Sequence, residues 1–151
     1  MRTIWSEENP SHKGAFSSFS GVKAFPKPVQ KSGPPVVFGG MTSQAYRRSI
    51  THGNGWYGFA LDVDATKTCL AGLRVAKEQC DRPDSLGELE ISVSPVGRVD
   101  LDMAKRFADL GVHRLISLFP PQGDEIFALN SKVTDITDYL KELGDSVIGR
   151  A

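Results

Sequence analysis

Cysteine is scarce in this chain. Among 151 residues there are two, Cys69 and Cys80. Both fall in one stretch of helical periodicity, and at ~1.5 Å of rise per residue they lie ~16 Å apart, too far for a disulfide. They read as reduced thiols in a cytoplasmic protein, filling a helix face. Histidine is almost as rare: His12, His52 and His113 stand far apart, and no second Cys/His cluster is present to build a metal site. No Ser–His–acid or paired-carboxylate pattern can be read. Net charge is absent, because 18 basic and 18 acidic residues cancel. That excludes an overall pull toward nucleic acid or an anionic membrane. Long apolar runs are missing too; none approaches the roughly 20 residues that span a bilayer. The opening "MRTIWSEENPSHK" has no apolar segment of the kind a secretory signal carries. It reads as the tail of a helix whose beginning lies outside the chain.

What is present fits a soluble globular protein of about one domain, with 40% hydrophobic and 24% charged residues. Residues 1–33 form a separate stretch, rich in glycine, serine, proline and phenylalanine. There Phe16, Phe19 and Phe25 are expected to pin an extended excursion or hairpin onto the body of the protein. The prolines at 26, 28, 34 and 35 stiffen the approach to the first strand. Residues 34–151 repeat one pattern four times: a short apolar run, then an amphipathic helix. "VVF" (36–38) precedes a helix over 43–52, "WYGFA" (56–60) a helix over 63–80, "LEISVS" (89–94) a helix over 101–110, and "HRLISLF" (113–119) a helix over 132–143.

Three of the four helices have a countable apolar line. Cys69, Leu73, Ala76 and Cys80 mark the second; Leu101, Ala104 and Ala108, with Phe107 beside them, mark the third; Val133, Ile136, Leu140 and Leu143 mark the fourth. Asp62 or Asp64 is placed to cap the second helix, Asp100 the third, and Ser131 or Thr134 the fourth. Gly111 and Gly144 are expected to terminate the third and fourth in the left-handed conformation. The strands alternate weakly or not at all, as strands buried on both faces do, and helical crossovers favour parallel pairing. The fold class is therefore α/β with a parallel sheet, either part of a barrel or a small open sheet.

The stretch "FGGMTSQAYRRS" carries the candidate chemistry. A glycine pair after a buried strand lets backbone N–H groups approach a ligand, and the helix after it offers unpaired amides and the positive end of its dipole. Gly39, Gly40, Met41, Thr42 and Ser43 together form a candidate phosphate cradle. Thr42 and Ser43 either cap the helix or donate hydroxyls to an anion, and Arg47 and Arg48 stand one turn on. The competing reading is a tight strand-to-helix turn that holds nothing. This is neither the dinucleotide fingerprint nor a P-loop.

Read as a whole, "FPKPVQKSGPPVVFGG", "YRRSITHGNGWYGF", "LEISVSP" and "ADLGVHRLISL" resemble the luciferase-like flavin- or F420-dependent oxidoreductases, in that family's order and spacing. The likeness runs from about Trp5 to about Leu143 and is closest to the branch that uses the deazaflavin coenzyme F420. It implies the C-terminal half, about four βα units, of a (β/α)8 TIM barrel, a fold of roughly 250 residues. It implies that Gly39, Gly40, Met41, Thr42 and Ser43 bind the phosphate of F420 or FMN. No catalytic residue carries over, since the family's acid/base belongs to the missing N-terminal strands. In "GNGW", Gly53 to Trp56, the family commonly has aspartate where this chain has Asn54. The chemistry implied is oxidoreductase or monooxygenase chemistry on a small-molecule substrate, incomplete without a partner. That partner would be a second copy in a homodimer or an N-terminal half-barrel. The alternative is a non-catalytic remnant.

The remaining candidates read as structural. His52 suits a helix C-terminus, His113 starts a strand at the rim opposite the ligand side, and Trp56 is expected in the core. "FPPQGDE" (119–125) reads as a surface loop that would border a pocket only in a whole barrel.

Overall fold

The structure, a computed structural model, describes residues 1–31, 33–118 and 133–148. It divides into two compact units, Met1–Pro35 and Val36–Ala151. The first holds a short helix, α1 (Arg2–Ser6), and an antiparallel hairpin of β1 (His12–Lys13) and β2 (Ser18–Phe19). Lys27 Nζ donates to the carbonyls of Ile4 and Glu7, each at 2.7 Å, and so closes the end of α1. Phe19 lies against the His12 ring, with centroids 5.8 Å apart. Phe16 and Phe25 are exposed.

The second unit carries β3 (Val37–Gly39), α2 (Ser43–His52), β4 (Gly55–Leu61), α3 (Val63–Gln79), a 3₁₀ turn (Asp84–Leu86), β5 (Glu90–Pro95), α4 (Leu101–Asp109), β6 (Arg114–Leu115) and α5 (Val133–Ser146). The four strands pair in parallel in the order β3-β4-β5-β6. Order in space matches order in sequence with no reversal. That is the winding of a (β/α) barrel section; a doubly wound sheet would turn back on itself. The α/β parallel class and its relation to a TIM barrel are thus as expected. Of "HRLISLF", the sheet takes in Arg114 and Leu115 among the described residues.

Three helix caps fall where the sequence puts them. Thr42 Oγ1 accepts from Ala45 N at 3.3 Å, Asp62 Oδ1 from Ala65 N at 2.7 Å and Asp100 Oδ1 from Met103 N at 2.8 Å. Gly111, at φ +84°, ends the third helix. Gly144 does not end the fourth: α5 runs through it to Ser146, and Val147, beyond, is buried. Thr134 lies inside α5, with its hydroxyl against Asp135 Oδ1 (3.4 Å), and is no cap; Ser131 is outside the described residues.

Two of the expected helix faces are rotated. On α4 the buried pair is Ala104 and Phe107, while Ala108 is exposed. The phenyl ring, the largest apolar group on the helix, takes the inward direction. On α5 the inward line is Tyr139, Leu143 and Val147; Ile136 and Leu140 face outward. Polar contacts decide this. The Tyr139 hydroxyl meets Ser117 Oγ, its ring lies 5.5 Å beneath the Arg98 guanidinium, and Arg98 pairs with Glu142 on the same helix.

The core lies between the sheet and the helices. Trp56, Ile91 and Val93 pack against Tyr46 and Ile50 of α2, Cys69, Leu73 and Ala76 of α3, and Phe107 of α4. Burying a side chain of that size contributes about 1.5–3 kcal/mol, so this cluster is the main apolar support of the unit. Tyr46 and Trp56 meet edge to face at 6.1 Å. Burial, then its contact with Cys69, raises the Tyr46 hydroxyl well above the ordinary tyrosine pKa. Cys69 is buried and Cys80 half-buried, and both are free thiols. The other sheet face carries Gly39, Tyr57, Ser92 and Arg114 in one register row.

Candidate functional site

The glycine turn sits at the C-terminal end of β3, the side on which parallel βα units assemble their sites. Its two glycines have different causes. Gly40 adopts φ +108°, which side chains avoid, and a Cβ there would stand 3.0 Å from the Ala45 Cβ. Gly39 is ordinary: a Cβ would meet Tyr57 O at 3.6 Å, a normal contact. Gly39, Gly40, Met41, Thr42 and Ser43 are all exposed. The structure therefore brings the five residues together on one open turn. Thr42 spends its hydroxyl oxygen on the cap, and the Ser43 hydroxyl meets Gln44 Oε1 at 3.2 Å. The N–H groups of Ser43 and Gln44, at the first two helical positions, have no carbonyl four residues back within the helix. With the positive end of a ten-residue helix behind them, they suit an anion.

Trp56 reaches this turn from the core. Its side chain is 0% exposed, and its indole N–H donates to Gly40 O at 2.9 Å. A trans peptide sets C=O and N–H in opposite directions. Drawing the Gly40 carbonyl inward therefore turns the Met41 N–H outward. Arg47 does not face the turn; its guanidinium donates to Gln79 Oε1 on α3 at 3.0 Å.

The "GNGW" block otherwise works at the far end of the strands. Asn54 Oδ1 accepts from Val36 N at 3.0 Å, Asn54 N donates to Val36 O at 2.7 Å, and Glu90 N donates to Asn54 O at 3.0 Å. One residue thus ties the starts of β3, β4 and β5 together. The flanking glycines are needed for room: a Cβ on Gly53 would lie 2.9 Å from both Ser49 O and Phe38, and one on Gly55 2.9 Å from Glu90 O. His113 works at the same end. Its N–H donates to Ile91 O at 2.9 Å and its Nδ1 accepts from Ile91 N at 3.0 Å. His52 is the last residue of α2, His12 lies in the hairpin, and Asp64 pairs with Lys67 at 3.0 Å. "FPPQGDE" lies outside the described residues.

Sequence reading missed Arg82. Its Nη1 donates to the carbonyls of Ser49 (3.3 Å), Ile50 (2.9 Å) and Gly53 (2.9 Å), its Nε to Gly87 (2.7 Å) and its Nη2 to Leu86 (3.2 Å). Burial lowers its pKa from the ordinary arginine value. The end of α2 explains its role and only the structure shows it: Gly53 is extended, at φ −95°, so no left-handed cap serves the last carbonyls and a donor comes from elsewhere. Also unforeseen is a polar network on the sheet face away from the helices. Tyr57 Oη and Ser94 Oγ are 2.7 Å apart, Ser92 Oγ meets Glu90 Oε1 at 3.2 Å, and Glu90 pairs with Arg114 at 3.1 Å. Among the described residues no cluster is suited to a metal ion, and no helix is long and apolar enough to cross a membrane.

Comparison with known proteins agrees with this geometry. The chain is 28% identical over 122 residues to a protein of Mycobacterium bovis and to two of Mycobacterium tuberculosis, each described as an uncharacterized protein. The match covers 80% of this chain and 41% of each relative, so the chain spans about two-fifths of their length. Residues 1–123 match the family model described as luciferase-like monooxygenase. Given that match and the sequential parallel sheet, the chain belongs to the luciferase-like monooxygenase family.

Proposed function

We propose that this chain is the cofactor-phosphate-binding part of a luciferase-like oxidoreductase that uses F420 or FMN, with Gly39, Gly40, Met41, Thr42 and Ser43 holding the phosphate. The observation that carries this reading is the turn itself. Gly40 has a conformation only glycine adopts freely, the residues around it are open to solvent, and the first amides of α2 lack intrahelical acceptors. A phosphate ester would meet backbone N–H groups on such a turn. When bound, the deazaflavin or flavin ring would supply hydride transfer, or oxygen activation in the case of a flavin. This chain's share is to bind and orient through backbone N–H groups, while the substrate-side acid/base comes from other strands.

The test is a titration of F420 and FMN monitored by fluorescence, with riboflavin as the partner that lacks the phosphate. FMN or F420 binding that exceeds riboflavin binding, and that falls at least tenfold in Gly40→Val, supports the reading. Absence of binding of both cofactors at high micromolar concentration, in the assembled form as well, overturns it.

A second reading has its own observation. Among the described residues β3 and β6 each bond to a strand on one side only, and Val37, on the face away from the helices, is 46% exposed. Open sheet edges and bare faces promote pairing. A homodimer, or union with an N-terminal half-barrel, would complete the ring.

A further inference from the structure

We propose that Trp56 is the positioning residue of the glycine turn: its indole N–H holds the Gly40 carbonyl inward and so aims the Met41 amide at the anion. This rests on the phosphate-site reading above and assigns a task to a residue that touches no ligand.

The inference starts from the freedom of Gly40. At φ +108° Gly40 has no Cβ to bias its ψ, so more than one orientation of the peptide between Gly40 and Met41 is sterically open to it. One orientation presents the Met41 N–H to the outside; the reverse presents the Gly40 oxygen, which repels an anion. The first is favoured by the hydrogen bond that the Gly40 carbonyl accepts from Trp56 Nε1 at 2.9 Å. That bond is strongly enforced from the protein side. The indole is fully buried, and a buried N–H without an acceptor is costly. Among the described residues every buried side-chain nitrogen and oxygen has a partner. The ring cannot drift away from the carbonyl either. Tyr46 meets it edge to face, and Phe38 and Ile91 occupy the neighbouring register positions on β3 and β5. A purely packing role needs the ring alone; the positioning role needs the N–H.

The experiment separates the two. In a Trp5→Phe background the Met41 amide is tracked by NMR while inorganic phosphate is titrated. Native Trp56 is compared with Trp56→Phe and with the indole isostere 3-benzothienylalanine at position 56, which keeps the fused ring and deletes the N–H. Tyr46→Phe is the packing control, because it alters the same cluster and leaves the turn's hydrogen bond in place. The expected result is a saturable shift of the Met41 amide in the native protein. The two N–H-deficient proteins should bind phosphate about three- to tenfold more weakly, as the loss of one hydrogen bond implies, and Tyr46→Phe should stay within about twofold of native. Equal affinity of the native and isostere proteins overturns the role of Trp56 and leaves the phosphate site standing. Absence of phosphate binding by the native protein overturns the site itself, and the role of Trp56 with it.

Discussion

At the scale of the residue, the chain relies on side chains that serve backbone groups. Arg82 is the clearest. Three of its five acceptors are carbonyls at or just past the end of α2, and two belong to the loop before β5. Lysine cannot copy this, because one ammonium lacks the spread of a planar guanidinium. Arg82→Ala strips donors from the Ser49, Ile50 and Gly53 carbonyls, so a loss of about 2–4 kcal/mol is expected in urea unfolding, and Arg82→Lys should recover less than half of it. A loss below about 0.5 kcal/mol for Arg82→Ala would show that water serves these carbonyls equally well. Nothing in the spacing around "CDRPDSLG" advertises this residue. Its partners are 29 to 33 positions away in α2 and Gly53, and only folding brings them together.

At the scale of the element, α2 was legible from its cap and α3 from cap and periodicity together. Thr42 and Asp62 start them, and Cys69, Leu73 and Ala76 face inward as their spacing says. What holds the two helices together was not legible. The Tyr46 ring of α2 lies where a Cβ on Gly72 of α3 would be. Gly72 thus sits in a helix interior, where glycine is unfavourable, because another helix needs the space. Gly72→Ala should lower stability by about 1–3 kcal/mol despite its better helix propensity, read as a drop in thermal midpoint. A rise in midpoint would mean the ring has room to shift. On α5 the spacing did not settle which residues are covered: Tyr139, Leu143 and Val147 are, while Ile136 and Leu140, which the spacing puts in line with Leu143, are exposed. The polar partners of Tyr139, distant in sequence, hold its ring on the covered side.

At the scale of the molecule, sequential parallel strands leave β3 and β6 as edges among the described residues. The relatives are more than twice as long as the matched stretch, which covers 41% of their length. On the pairing reading, sedimentation should show a species at least twice the 16.4 kDa of the chain, or a monomer that associates when an N-terminal half-barrel is added. A stable monomer that ignores that partner would count against pairing.

The sequence by itself determined the βα order, the starts of α2, α3 and α4 and the position of the glycine turn. These come from local rules: side-chain periodicity, capping oxygens and the backbone freedom of glycine act within a few residues. Only the tertiary structure decided the rest. It showed that Gly40 is the glycine the turn requires while Gly39 is ordinary, and that Asn54 ties strand starts together. It also showed that Trp56 and Arg82 hold carbonyls far from them in the chain. The physical reason is that a buried donor must find an acceptor somewhere, and which one it finds depends on the packing of the whole unit rather than on its neighbours in sequence.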